Sequence, residues 1–337
     1  MIRASLTALL LTSALACRAG DAVPLAIRPV LGLPIDCRPG IDCWVANYFD
    51  VDASGLARDF RCGPRSYEGH DGVDIAIRDL GVMARGVAVR AAADGTVRNV
   101  RDGMEDSAVR DDADRARIAG RDCGNGIVID HPGGWQTQYC HLRRGSVGVK
   151  RGQTVVRGEP IAQVGLSGLT EFPHLHVALR LGLMQIDPFS GLPTQEGCGA
   201  VAGSLWDGEA GLSYEDVALY NAGFAPGPPD IEAIRRGERT DGPLPLDAPA
   251  LVLWVDMFGV REGDRVSFRI NAPGGRLLHE GEHLVDRTQA RRYAFSGARR
   301  TEAGWAEGVY SGQITIERSV EGKPRRSSMA VETRVGG

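Results

Sequence analysis

The sequence lacks an excess of basic residues: 39 lysines and arginines stand against 43 aspartates and glutamates, a formal net charge of −4. Binding to nucleic acid through its phosphates needs a clustered positive face, so we expect no nucleic-acid partner. Long apolar runs are also missing. Beyond the N-terminal segment none is apolar enough to cross a bilayer, and we expect no transmembrane span.

Glycine and proline, by contrast, are frequent, with 45 and 18 residues. They indicate many tight turns and favour β structure. The length of 337 residues favours two folded domains. A hydrophobic content of 43 % with 24 % charged residues excludes collagen, a coiled coil and a wholly disordered chain.

The N-terminus has the features of a secretory signal. Arg3 precedes a short apolar run over 6–11, and Ala14-Leu15-Ala16 follows as a small-residue cleavage pattern. We interpret 1–19 as a signal peptide and expect export to the periplasm. Release to the medium and lipid anchoring through Cys17 remain alternatives.

The cysteines support an oxidising compartment. Loss of Cys17 with the signal leaves six of the seven, an even set suited to three disulfides. A turn at Pro39-Gly40 would bring the first pair of cysteines together, and a predicted hairpin over 126–140 would bring a second pair together. The predicted bridges are therefore Cys37–Cys43, Cys123–Cys140 and, by elimination, Cys62–Cys198.

Turn signals and strand patterns divide the rest of the chain. We predict a disulfide-containing extension over 20–65, a β-rich domain over 66–195, a linker with short helices over 196–246 and a β-sandwich over 247–337. In the β-rich domain, hairpins are predicted over 87–100 and 126–140. In the linker, helix starts are predicted at Ser213 and Asp230.

Two further features of the β-rich domain concern exposure. His131 lies in the Pro-Gly-Gly turn of the second predicted hairpin, and we expect it to be exposed. The charged stretch 101–122 is interpreted either as a solvated loop with a short helix or as a lid beside a cleft.

Histidine is scarce, with seven residues, and its placement is informative. His70 and Asp74 lie four residues apart where a loop enters a predicted strand. His174 and His176 share one face of another strand, whose opposite face is an apolar core stripe. Two histidines and one aspartate are a common zinc set that leaves a fourth position to water. Zinc lowers the pKa of that water, which makes it a nucleophile.

A third motif is the lone His141 in Tyr139-Cys140-His141-Leu142. Together and in this order, the three motifs resemble those of the lysostaphin/LytM-type zinc metallopeptidases, which cleave peptidoglycan. The resemblance covers about 66–189 and leaves out the C-terminal domain. It implies an antiparallel β-sheet metallopeptidase core of the duplicated-hybrid type, with peptidoglycan peptides as substrate.

The resemblance also implies roles for individual residues. His70, Asp74 and His176 would bind one zinc ion per chain. His141 and His174 would be catalytic, one as general base and the other as hydrogen-bond donor to the developing oxyanion. We favour His141 as the base.

Two other functions compete with this interpretation. A non-catalytic regulator of cell-wall hydrolases on the same fold would have lost zinc ligands, which are all present here. A lipoyl-type carrier would need a lysine at a hairpin tip, where Asp94-Gly95 and Gly158-Glu159 stand instead. The C-terminal domain lacks the aromatic-rich repeat that is typical of wall anchors. Binding of a protein partner is one alternative role for this domain. For His279 and His283, four apart in that domain, we expect no second metal site.

Overall fold

The computed structural model describes residues 28–195, 197–238, 242–302, 304–320 and 322–337. The predicted signal peptide 1–19 and Cys17 lie outside these residues. Among the helices of the described part, none has the length and hydropathy needed to cross a membrane. The chain is mainly antiparallel β, as the sequence predicted.

Ten strands build the first part of the described chain. They are β1 (Cys43–Asn47), β2 (Val73–Ile77), β3 (Ala88–Arg90), β4 (Gly95–Arg101), β5 (Asn125–Asp130), β6 (Trp135–Leu142), β7 (Thr154–Val155), β8 (Pro160–Gln163), β9 (His174–Leu181) and β10 (Met184–Ile186). Eight of them form one sheet in the order β1-β2-β9-β6-β5-β4-β7, with β10 paired to β9. Strands β3 and β8 form a separate pair.

The predicted hairpin over 87–100 is wrong. Strand β3 pairs with β8, whereas β4 pairs with β5 and β7. The backbone after β3 stays bonded to the turn before β8, because Ala91 N–H donates to Glu159 O at 2.9 Å and Gly158 N–H donates to Ala91 O at 2.8 Å. The segment after β3 therefore pairs with the turn before β8 rather than with β4.

The second hairpin forms as predicted, because β5 pairs with β6. The expectation that His131 is exposed is wrong, since the side chain is buried. Its Nδ1 lies 2.8 Å from the carbonyl oxygen of Asp94, and its Nε2 lies 2.7 Å from Thr137 Oγ1. Both ring nitrogens thus have partners that compensate for burial.

Three short α-helices each begin after an aspartate that caps the first turn. They are α1 (Leu80–Arg85) after Asp79, α2 (Asp112–Ile118) after Asp111 and α3 (Ile231–Arg235) after Asp230. The predicted helix start at Asp230 is thus confirmed.

The predicted helix start at Ser213 is wrong. Glu215 N–H donates to the Tyr48 hydroxyl at 3.0 Å, and that hydroxyl donates to Ser213 O at 3.4 Å. These contacts with a distant part of the chain hold the segment extended, and it continues into a strand.

Seven strands form the remainder: β11 (Ala218–Ala225), β12 (Ala250–Val260), β13 (Arg265–Asn271), β14 (Leu277–Leu284), β15 (Gln289–Arg299), β16 (Gly308–Val320) and β17 (Lys323–Val335). They make a three-stranded sheet, β11-β12-β15, and a four-stranded sheet, β14-β13-β16-β17. One apolar core holds side chains of both sheets, among them Leu253, Phe268 and Ile314. The predicted sandwich is therefore present. Strand β11 belongs to it although it lies in the range predicted as linker, and the predicted domain boundaries stay a prediction.

The two parts meet through a small buried cluster. It contains Trp44 and Ala76 of the large sheet and Tyr220 and Phe258 of the sandwich. Disulfides join Cys37 to Cys43, Cys62 to Cys198 and Cys123 to Cys140. These are the three pairs predicted from the sequence.

Candidate metal centre

Strand register assembles the site. Strand β9 lies between β2 and β6 in the large sheet. In the β2–β9 ladder Asp74 stands opposite His176, and in the β6–β9 ladder Cys140 stands opposite the same residue. Alternation along β9 sends Leu175 into the main core and leaves His174 and His176 together on the other face.

Three donor atoms converge at this point. His70 Nε2 lies 3.1 Å from Asp74 Oδ1 and 3.2 Å from His176 Nδ1. His176 Nδ1 lies 2.9 Å from Asp74 Oδ1. All three side chains are buried, and together they could hold a metal ion.

The donor set fits zinc. Tetrahedral zinc with ligands at 2.0–2.2 Å requires donors that are about 3.3–3.6 Å apart. The separations in the site are a few tenths of an ångström shorter, so a small outward movement of the side chains would admit the ion. Two imidazoles and one carboxylate are also the chemistry that zinc accepts in catalytic sites.

His70 is fixed by a contact on its other nitrogen. Its Nδ1 lies 2.7 Å from the carbonyl oxygen of Tyr48. A proton on Nδ1 donated to that carbonyl leaves the lone pair on Nε2, the nitrogen that faces Asp74 and His176.

The pKa values in the cluster follow from burial and from mutual contacts. Burial alone would raise the pKa of Asp74, but the positive charges of His70 and His174 and hydrogen bonds from His174 and His176 hold it well below its usual range. Burial lowers the pKa of His176, yet hydrogen bonds to Asp71 and Asp74 outweigh this and raise it to about 9.

His141 is the penultimate residue of strand β6 and has a left-handed backbone conformation with φ 59°. Its N–H donates to Cys123 O at 2.8 Å, and its Nδ1 lies 2.8 Å from Ser167 O. The Nδ1 proton is therefore committed, which leaves Nε2 as the acceptor nitrogen. Burial, together with the positive charges of His174 and His176, holds the pKa of His141 well below its usual range.

His174 lies beside His141, with the ring centroids 4.7 Å apart. Its Nδ1 contacts the Phe172 carbonyl oxygen at 2.9 Å and Thr170 Oγ1 at 3.1 Å. Its Nε2 lies 3.3 Å from Asp74 Oδ1. The structure thus brings the four histidines and one aspartate named from the sequence into one buried cluster.

The loop 166–173 supports both of these histidines, and the charged stretch 101–122 packs against it. Ser107 N–H donates to Leu166 O at 3.0 Å, and Val109 N–H donates to Thr170 O at 2.8 Å. The stretch contains α2. Most of the stretch is exposed, which agrees with its interpretation as a solvated loop with a short helix, and it also braces the loop that carries the partners of His141 and His174.

Sequence reasoning missed several neighbours of the cluster. Asn47 on β1 donates from Nδ2 to Asp74 Oδ2 at 2.9 Å. The half-exposed ring of Tyr67 lies 4.4 Å from the ring of His70. Asp71 Oδ1 lies 3.2 Å from His176 Nε2. Of these three residues, Asp71 alone lies within a recognised motif, between His70 and Asp74. Its position there is the one sequence signal that could have identified it.

The other histidines and cysteines form no such site in the described part of the chain. His279 Nε2 contacts Ser296 Oγ at 2.8 Å, and His283 Nε2 contacts Phe295 O at 2.7 Å. Cys37 and Cys43 adjoin Asp42 but are joined in a disulfide.

Comparison with known proteins matches residues 68–188 to peptidase family M23. An uncharacterized metalloprotease of Haemophilus influenzae is 34 % identical over 36 % of this chain and 20 % of its own length. The DD-carboxypeptidase/endopeptidase Mpg of Neisseria meningitidis is 33 % identical over 38 % of this chain and 24 % of its own. The peptidoglycan DD-endopeptidase ShyB of Vibrio cholerae is 45 % identical over 16 % of this chain and 12 % of its own. The chain therefore spans a quarter or less of each of these relatives.

Solved structures also overlap with part of the chain. A zinc-containing peptidase from Vibrio cholerae is 25 % identical, covers 45 % of this chain and 41 % of that one, and has a TM-score of 0.28. The catalytic domain of lysostaphin from Staphylococcus simulans is 20 % identical, covers 42 % of this chain and 85 % of that one, and has a TM-score of 0.27.

Proposed function

We propose, because residues 68–188 match the model of peptidase family M23, that the chain is an exported zinc-dependent endopeptidase that hydrolyses peptide bonds in peptidoglycan cross-links or stems. The observation that carries the proposal is the buried cluster of His70, Asp74 and His176 with His141 and His174 beside it. The relative from Vibrio cholerae is a peptidoglycan DD-endopeptidase, which supports peptidoglycan as the substrate class.

His70, Asp74 and His176 would hold one zinc ion through Nε2, Oδ1 and Nδ1. Zinc bound to two imidazoles and a carboxylate supplies a Lewis acid that polarises a carbonyl and activates water. The contact of Tyr48 O with His70 and that of Asn47 with Asp74 keep these donors oriented without metal.

His141 suits the role of general base. Its Nδ1 is held by Ser167 O, and its low pKa keeps Nε2 unprotonated at neutral pH. In the proposed reaction a water oxygen attacks the scissile carbonyl carbon while Nε2 of His141 takes the proton of that water. The C–N bond then breaks, and the same proton passes to the leaving amine.

His174 would stabilise the negative charge that develops on the carbonyl oxygen. Because the Phe172 carbonyl can only accept, Nδ1 carries a proton, and His174 would donate from Nε2 to that oxygen as the imidazolium. A preorganised donor of this kind stabilises the transition state more than the substrate.

We place the mature protein in the periplasm, with release to the medium or anchoring through Cys17 as alternatives. Three disulfides within the described residues support an oxidising compartment.

Incubation of the purified mature protein with zinc and intact sacculi tests the proposal. Identification of the released fragments by mass should show new free amino and carboxyl ends within cross-links or stems. If the protein binds zinc but releases nothing from sacculi or soluble muropeptides, the function is that of a non-catalytic regulator instead.

A further inference from the structure

Asp71 occupies an unusual position in the first motif. It stands between the predicted ligand His70 and Gly72, and its carboxylate reaches across to strand β9. Oδ1 lies 3.2 Å from His176 Nε2. Oδ2 accepts hydrogen bonds from Gln185 Nε2 at 2.7 Å and from Arg180 Nη2 at 3.3 Å.

The two nitrogens of His176 therefore face different groups. Nδ1 faces Asp74 and His70, where the donor atoms converge. Nε2 faces Asp71. A neutral imidazole carries one proton, so donation of Nε2–H to a carboxylate leaves the lone pair on Nδ1. This is the nitrogen that must be unprotonated to bind a metal.

The backbone between the two aspartates allows this approach. A Cβ on Gly72 would lie 2.6 Å from His176 Nε2 and 2.6 Å from Val177 O. Any side chain at position 72 would therefore displace the imidazole.

Strands β9 and β10 fix the carboxylate itself. In their ladder Gln185 stands opposite Arg180, and both side chains donate to the same oxygen of Asp71. The other oxygen is left for His176. Gln185 of the short strand β10 and Arg180 of β9 thus set the orientation of the Asp71 carboxylate.

We propose that Asp71 is a positioning residue for the metal centre: it fixes the tautomer and ring orientation of His176 so that Nδ1 presents its lone pair to the metal. The inference rests on the proposed zinc site. The proposal adds to this site a carboxylate that is not itself a zinc ligand. It also gives strand β10 a role, because β10 supplies the Gln185 that holds this carboxylate. Carboxylates that hold ligating histidines in this way typically contribute ten- to hundredfold to metal affinity.

Zinc affinity of Asp71→Ala tests the proposal directly. Competition with a chromophoric chelator should show a loss of about ten- to hundredfold relative to the parent. The matched control is Asp207→Ala. Asp207 is also an ion-paired aspartate, with a side chain 27 % exposed against 32 % for Asp71, and its partner is Arg157 rather than a residue of the cluster. The control should bind zinc as the parent does.

A tautomer measurement separates positioning from general destabilisation. Above the pKa of about 9, where His176 of the metal-free parent carries a single proton, ¹⁵N spectra of the imidazoles should show that proton on Nε2, and Asp71→Ala should lose this preference. If Asp71→Ala does not fold, Gln185→Ala gives the second test. It removes the 2.7 Å contact that orients the carboxylate and should lower zinc affinity by a smaller factor.

The outcomes distinguish this proposal from the proposed function. If the parent binds zinc but does not cleave sacculi, the endopeptidase proposal is wrong. A weaker zinc affinity in Asp71→Ala would still support the positioning role in that case. An unchanged zinc affinity in folded Asp71→Ala, or in Gln185→Ala where the first variant is unfolded, overturns the positioning role whether or not the parent is active.

Discussion

The guanidinium of Arg291 lies over the ring of Phe172, with its central carbon 5.7 Å from the ring centroid. The contact joins strand β15 of the sandwich to the loop that precedes β9. Asp256 and Tyr220 hold the guanidinium in place, because Nη2 lies 3.1 Å from Asp256 Oδ2 and Nε donates to the Tyr220 oxygen at 2.7 Å.

Phe172 in turn contacts a proposed catalytic residue. Its ring centroid lies 4.8 Å from that of His174, and its carbonyl oxygen is 2.9 Å from His174 Nδ1. The sandwich thus reaches His174 through one intervening side chain. This gives the C-terminal part a structural role in the site, whatever else it binds.

We predict that Arg291→Met lowers kcat for peptide hydrolysis while zinc content stays at the parent level. A cation–π contact contributes about 0.5–2 kcal/mol. If most of this interaction free energy restrains the ring of Phe172, kcat should fall roughly three- to tenfold. Steady-state kinetics on a soluble muropeptide, with zinc measured on the same sample, provides the check.

The neighbouring Arg292 supplies the control. Its side chain is about as exposed as that of Arg291 but pairs with Asp286 and Gln289 rather than with Phe172. Arg292→Met should leave kcat unchanged. Equal losses in both variants would show that the effect comes from general destabilisation of β15.

A second prediction concerns the disulfide that flanks His141. Cys140 precedes His141 directly, and the carbonyl of Cys123 accepts the His141 N–H at 2.8 Å. The pair therefore holds His141 at its positive φ of 59°, a conformation that non-glycine residues rarely adopt. The double variant Cys123→Ala/Cys140→Ala should lose at least tenfold in kcat (an order-of-magnitude expectation for a misplaced base) and keep its zinc.

The disulfide between Cys62 and Cys198 is the matched comparison. It closes a loop with a sequence separation of 136, against 17 for the other. In the chain-entropy account the longer loop stabilises more, about 5 against about 3 kcal/mol. Cys62→Ala/Cys198→Ala should therefore lose more stability in urea unfolding yet keep kcat where it remains folded. A parallel loss of kcat in both double variants would contradict a specific role at His141.

How far the sequence could predict the fold depended on the distance between partners. The β5–β6 hairpin has its turn signal between its two strands, so local chemistry was enough. Strand β3 instead finds its partner β8 some distance along the chain, and β4 pairs with β7 in the same way. The residues of β3 and β4 are compatible both with pairing to each other and with pairing to the more distant β8 and β7. The packing of the folded domain decides between these two arrangements.

The site shows the same limit. Spacing and strand alternation indicated His70, Asp74 and the pair His174 and His176, and the resemblance to the lysostaphin/LytM-type peptidases then singled out His176 as the ligand. Asn47 could not, because its contact with Asp74 depends on the antiparallel register of β1 on β2. His131 was misjudged for a related reason: its burial is compensated by Asp94 O and Thr137 Oγ1, and neither contact has a sequence signature.

A third set of variants separates metal binding from catalysis. His176→Ala should lose zinc and activity together, since it removes one of three donors. His141→Ala and His174→Ala should each keep zinc and lose roughly a hundredfold in kcat, the usual size for a general base or an oxyanion donor. Elemental analysis and kinetics on the same preparations give both readings. Loss of zinc in His174→Ala with retention in His176→Ala would reverse the assignment within the pair.

The last prediction concerns pH and the buried carboxyl of Asp187, just after β10. Burial raises its pKa to about 6, more than hydrogen bonds from Ser190 and Phe189 lower it. The folded state thus binds this proton more tightly than the unfolded state, whose aspartates titrate near 3.9. The contribution of Asp187 to stability is therefore fully present below about pH 4 and is lost as pH rises to about 6.

Asp187→Asn cannot titrate and isolates this effect. Between pH 4 and pH 7 the free energy of unfolding of the parent should fall by about 2–3 kcal/mol relative to that of the variant. Urea unfolding of both proteins across this range, with chelator present so that zinc does not contribute, measures the difference. Because every other titrating group is common to the two proteins, a difference that stays constant with pH would mean that Asp187 titrates alike in the folded and unfolded states.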